Sequence, residues 1–256
     1  MKKLHVFVSV ILIAVTSSVK AQGLFSENLF NHFALGTTLG TPGFGVDIAT
    51  TVGDYFQLRT GFTTIPNIKM TTSLDVSEYA YEGYTGPESY DFEGKINMTN
   101  LKILVDIFPS KKSSFHFTVG TYMGPKKLLK VYNKEDGSLI SITNYNNQAS
   151  EDDQIGIELG DYLLKPDAYG NVEANIKVSG VKPYLGIGFG RAVPRKNRIG
   201  FMMELGCQFW GTPKVYASDH QLTSENLGGD DNGAIKMMSK IQAYPVISFR
   251  LCGRIL

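Results

Sequence analysis

From Ile199 to Trp210 the chain alternates without a break. Ile199, Phe201, Met203, Leu205, Cys207 and Phe209 fall in one phase, and Gly200, Met202, Glu204, Gly206, Gln208 and Trp210 fall in the other. Successive side chains of a strand face opposite sides, so the segment reads as a strand with one apolar face and one face of glycines and polar groups. The same pattern recurs in Phe33–Leu39, Phe44–Ile48, Phe56–Phe62, Leu101–Ile107, Phe115–Met123, Pro183–Phe189 and Ala243–Leu251. About eight strands of roughly ten residues follow, the length a tilted strand needs to span a bilayer.

The connections fall into two classes. "VGD", "PSKKSS" and "VPRKNR" read as tight turns at one end. The other end carries the short turn "TPG" and three long insertions, near residues 65–95, 125–180 and 212–240. In the second insertion "KVYN", "LISIT" and "EANIKVSG" predict further strands beyond the spanning segment. Short turns at one end and long loops at the other are the anatomy of an outer-membrane barrel.

Lys2 and Lys3, the apolar run Val6–Val15, and small residues Val19 and Ala21 before the cut describe a secretory signal peptide over residues 1–21, leaving 22–256 as one barrel domain. The run is too short for a spanning helix. Without Lys2, Lys3 and Lys20, 22 basic residues face 24 acidic ones, so no basic footprint for nucleic acid exists. Cys207 and Cys252 lie in opposite phases and are expected as unpaired thiols, with pairing as the alternative.

Which face points inward follows from size and charge. Glycines cluster in the polar phase (Gly186, Gly188, Gly190, Gly200, Gly206), where Tyr184, Tyr244, Arg59 and Arg250 need small neighbours in a narrow interior. The apolar phase has no second sheet or helix to cover it, so lipid is the expected cover. A secreted sandwich or lipocalin-like barrel is the soluble alternative, but its core would have to bury the charges. The expected fold is all-β: a single up-and-down antiparallel transmembrane β-barrel with three long extracellular loops.

"GFGVDIATTVGDYFQLRTGF", "PYLGIGFGRAVPRKNRIGFMMELGCQFWGTPKV" and "YPVISFRLCGRIL" resemble small bacterial outer-membrane barrels of the OmpA/OmpX-like kind, and the "AQ" junction with the "GFGR…PRKNRIGF…ELG" hairpin resembles versions from Bacteroidota. The resemblance implies the outer membrane of a Gram-negative cell and contact with the barrel-assembly machinery. This chain ends Arg254-Ile255-Leu256, where that family usually closes on an aromatic.

The inward phase carries Asp47, Arg59, Lys102, Asp106, Glu204, Arg250 and Arg254, with His116 nearby. Buried charges must pair, so these predict a salt-bridged plug; a narrow charge-lined pore is the alternative. Neither a Gly-x-Ser-x-Gly elbow nor a His-Glu-x-x-His pair occurs, and His32, His116 and His220 are scattered, so a lipid-modifying enzyme is the weaker reading and no cofactor is expected. Asp152–Asp153 and Asp230–Asp231 match no full calcium loop and read as solvated charge, with no metal site expected. Lys111–Lys112 and Arg195–Arg198 read as soluble turns or as contacts to anionic headgroups. The run Tyr79–Tyr90 offers either a recognition surface or packing within a loop. Expected partners are outer-membrane lipids and an extracellular ligand held by the three loops; the expected role is structural or surface-interacting, with a narrow channel as the alternative.

Overall fold

The computed structural model describes residues 29–76, 84–159, 162–217, 220–222 and 242–255; the expected signal peptide and Asp230–Asp231 lie outside them. Eight antiparallel segments close on themselves: β1 (Leu29–Gly40), β2 (Gly43–Val52), β3 (Phe56–Asp75), β4 (Ser89–Ile107), β5 (Phe115–Met123), and, after the intervening elements, β10 (Val181–Phe189), β11 (Ile199–Phe209) and β14 (Ala243–Arg254). The ring runs β4-β3-β2-β1-β14-β11-β10-β5, and β5 returns to β4 to complete it. Alternating burial along β10, β11 and β14 follows the sequence phase. Leu205 and Phe201 are 46% and 60% exposed, in line with Leu35, Phe44, Phe62, Leu185 and Phe249 on the same outer surface. Cys207 and Cys252 are both free.

The first insertion corrects the expected loop at 65–95. β3 and β4 run past the barrel as a hairpin, paired from Ile68↔Ile96 to Asp75↔Ser89 beyond a bulge at Ile65/Ile68. Onto this extension are added β6 (Lys127–Asn133), β9 (Glu173–Lys177), β12 (Lys214–Ala217) and β13 (His220–Leu222). β7 (Ile157–Leu159) and β8 (Tyr162–Leu164) form a separate small hairpin. "KVYN" and "EANIK" are strands as read, but "LISIT" is not: Ile140–Asn146 forms helix α1. Its β-branched residues favour a strand locally, yet Leu139 and Ile142, three apart, bury as one helical face against the sheet. Packing overrides propensity there.

The extension has a core of its own. Tyr90 and Phe92 of β4 join Leu139, Ile142, Ile155, Ile157, Leu164, Val172, Ala174, Ile176, Val215, Ala217 and Leu222 in one apolar cluster. Tyr84 and Tyr90 share a 2.8 Å hydroxyl hydrogen bond, and Tyr84 meets Tyr145 edge to face at 5.9 Å. These two tyrosines of the aromatic run are therefore packing residues; residues 77–83 lie outside the described ones.

Candidate functional site: the barrel interior

The inward phase of the eight strands builds a lumen in layers. At the short-turn end, Ala34, Ala49 and Met202 pack on Ala192 and Val193. Ala192 precedes, and Val193 opens, the segment 193–198, expected as a tight turn. Instead it tucks into the barrel mouth. Gln57 clasps Val193, its Nε2 donating to the Val193 carbonyl at 3.1 Å and its Oε1 accepting from the Val193 amide at 3.2 Å. Arg250 Nη1 donates to the Ala192 carbonyl at 2.8 Å. Reciprocal backbone capture of this kind satisfies groups that burial would otherwise orphan.

Above it lie two ion-pair clusters. In the first, the Arg59 guanidinium bridges Asp106, at 2.7 Å, and Glu204. Tyr184 donates to Glu204 at 2.6 Å, and the Thr118 hydroxyl lies 2.9 Å from each carboxylate, with one proton to give to either. His116 Nε2 stands 3.7 Å from Glu204. In the second, Asp47 takes Lys102 at 2.7 Å and Arg250 at 2.6 Å, with Thr38 donating to it at 3.1 Å. Each of these charged groups is at most 3% exposed.

Local sequence explains how the groups reach one another. Asp47 lies between Gly36 and Gly61 in the cross-strand register, with Lys102 next beyond Gly61. A Cβ at Gly36 would collide with the Arg250 guanidinium, and one at Gly61 with Asp47. Gly186 and Gly206 leave space for the Tyr184 hydroxyl in the same way, and Gly188 leaves it for His116. The glycines are thus the negative image of the ion pairs.

Farther up, Leu104, Tyr122, Tyr184 and Val246 form an apolar layer. Lys182, 1% exposed, then donates to Asn100 Oδ1 at 2.8 Å. The long-loop mouth is capped by Met98, Val178 and Trp210, with Trp210 stacked on Tyr244 at 4.5 Å.

Six of the seven residues expected inside are brought together. Arg254 is the exception and is corrected here: it is half-buried at the short-turn rim, where Nη1 donates to the carbonyls of Pro194 and Arg195 at 3.2 and 2.8 Å. Parity put it in the inward phase, but the strand ends there, and the tucked turn offers carbonyls in place of carboxylates. Thr38, Thr118 and Tyr184 complete the network. Tyr184 was expected inside; Thr38 and Thr118 had readable parity but no charge to single them out, and Lys182, separated from the network by the apolar layer, pairs with Asn100 instead.

Asp106, His116 and Glu204 place ligand atoms within 4.8 Å of one another, the spacing of a cation site. The Arg59 guanidinium, bonded to both carboxylates, already supplies the positive charge there. His220 is exposed on β13, in the extension outside the barrel ring, and Asp152 and Asp153 sit in a turn of 3-10 helix whose Asp153 accepts from Ser150 at 2.6 Å.

No protein-family model matches the chain, and no curated protein does. Among solved structures it is similar to CarO2 of Acinetobacter baumannii (16% identity, TM-score 0.46, covering 87% of this chain and 98% of that one). It is also similar to CarO of the same organism (18% identity, TM-score 0.44, covering 89% and 99%).

Proposed function

We propose that the protein is an outer-membrane β-barrel of a Gram-negative bacterium, exported by residues 1–21, with a sealed lumen and a structural or surface-interaction role carried by its extramembrane sheet. The observation that carries this reading is an inversion of the usual distribution. Phe201, Leu205, Phe62 and Leu251 are exposed on the outer wall, while Arg59, Lys102, Asp106, Glu204 and Arg250 are buried within. Soluble monomers rarely expose an apolar surface that continuous, and an apolar girdle around a polar interior is the signature of a barrel in lipid. Among the described residues no helix is long and apolar enough to cross a membrane; a closed barrel is the strand architecture able to do so.

Buried side chains of the described residues occupy the lumen in successive layers, from Val193 near one mouth to Trp210 near the other. An eight-stranded barrel has an interior that side chains can just fill. The role therefore lies on the surface. Single-channel recording on the full chain in a planar bilayer is the test: the expected result is no steady conductance, and an ohmic current would overturn the sealed lumen. A narrow channel is the second reading, favoured by one observation: among the described residues four buried cations (Arg59, Lys102, Lys182, Arg250) outnumber three buried carboxylates (Asp47, Asp106, Glu204). Any such current would be anion-selective.

A further inference from the structure

The outward phase of β4 changes character as the strand leaves the barrel. Ile107, Val105, Ile103 and Leu101 give way to Thr99, then, six residues above Leu101, to Lys95, Glu93 and Asp91. Parity is unbroken along β4, and Thr64↔Thr99 and Lys69↔Lys95 show that the bulge in β3 restores the same phase. The apolar cluster of the extension therefore continues the lumen side, and its polar face continues the lipid side.

On that polar face lysines stand opposite one another in register. Lys69, Lys95 and Lys130 form one row across β3, β4 and β6. Lys127, Lys177 and Lys214 form a second across β6, β9 and β12. Like charges directly opposite in a sheet are destabilising, and two carboxylates offset only part of the six. Glu93 holds Lys69 at 2.9 Å; Glu173 holds Lys130 at 2.9 Å and Lys127 at 3.6 Å. Among the described residues Lys95, Lys177 and Lys214 have no carboxylate at ion-pair distance, and Lys177 lies 3.7 Å over the Tyr216 ring. A groove of about 620 Å³ borders Lys177; Lys127, Lys130 and Lys134 line it with Asp136, Asp167 and Glu173, while Lys95 and Lys214 lie outside it on the same sheet face.

We propose that this double row of lysines is a binding site for the phosphorylated headgroup of an outer-leaflet glycolipid. Position and charge select that occupant. Six residues of strand span about 20 Å at ~3.3 Å each, and barrel tilt shortens the rise, which places the lysines at the phosphate level above the hydrocarbon band. Anionic phosphates there supply the counter-charge that the fold withholds. The inference rests on the membrane reading but not on a sealed lumen, so a conductance measurement and a lipid-binding measurement fail independently.

The test uses the full chain in phosphatidylcholine nanodiscs containing bisphosphorylated lipid A or its dephosphorylated form, with retained glycolipid counted by native mass spectrometry. Retention of the phosphorylated lipid alone is expected, falling at least tenfold in K95Q/K177Q/K214Q and surviving in the matching triple arginine variant. Equal retention of the dephosphorylated lipid, or undiminished binding by the glutamine variant, overturns the proposal. Displacement by millimolar inorganic phosphate overturns the lipid as source, in favour of a soluble anion. Should the triple variant fail to fold, judged by heat-dependent gel mobility, K177Q and K214Q singly are expected to lose about threefold, and no loss in either is fatal.

Discussion

The two halves of β4 bury opposite chemistries on the same face. Within the barrel that face presents Asn100, Lys102, Leu104 and Asp106 to the lumen; beyond the bulge it presents Phe92 and Tyr90 to an apolar core. On the proposed membrane placement the difference lies in what covers the other side. A wall against hydrocarbon turns its apolar residues outward and leaves the interior to polar groups that must satisfy one another. Above the hydrocarbon, where the reverse face meets headgroups and water, the ordinary hydrophobic effect returns and the apolar residues go inside.

The largest expected effect comes from breaking the buried pairs. Arg59→Met leaves Asp106 and Glu204 without their shared cation and should cost about 3–5 kcal/mol, read as a fall in the urea midpoint of the folded barrel in micelles. The triple variant Arg59→Met with Asp106→Asn and Glu204→Gln should recover most of it. A single variant within 1 kcal/mol of the parent would remove the claim that the lumen is held by ion pairs.

Phe92→Ala attacks the other core. A cavity of that size typically costs about 3–5 kcal/mol, but here it should be confined to the extension. Protease cleavage within 125–180 should appear while gel mobility of the barrel stays unchanged. Simultaneous loss of both would show one cooperative unit instead of two cores.

Leu205→Lys tests the cover. On a lipid-facing wall near the midplane a lysine costs about 2–4 kcal/mol; in water it would cost next to nothing. A variant as stable as its parent would remove the membrane from the comparison.

The smallest effect is electrostatic. Tyr132 donates to Glu93, and with Lys69 holds its carboxyl below the usual 4.5; the Asn175 amide and Lys130 do the same for Glu173. Carboxylates whose folded pKa is depressed stabilise the fold above the unfolded value and lose that contribution as pH falls through the folded one. Protease resistance of the extension should therefore weaken slightly from about pH 4.5 downward, and added salt should blunt the effect.

Much of the barrel was readable because period-two alternation is a local property. Parity alone sorted Leu205 from Glu204 and put Asp47 and Arg59 on one face. It could not see where a strand stops mattering as a barrel wall: Arg254 has the right parity but meets the carbonyls of a tucked turn. Nor could it see that "LISIT" would meet a ready-made sheet and pack as a helix, or that residues 65–75 and 89–95 continue as strands. Those outcomes depend on neighbours distant in sequence, such as Gln57 clasping Val193.

The sequence by itself determined the eight barrel strands, their two faces and where glycines make room, because side-chain phase and size are set residue by residue. Only the tertiary structure decided which charges pair, how the connection at 190–198 closes one mouth, and that strands from all three insertions join one sheet. Those contacts join residues far apart in the chain, and closure of the ring fixes the registers that bring them together.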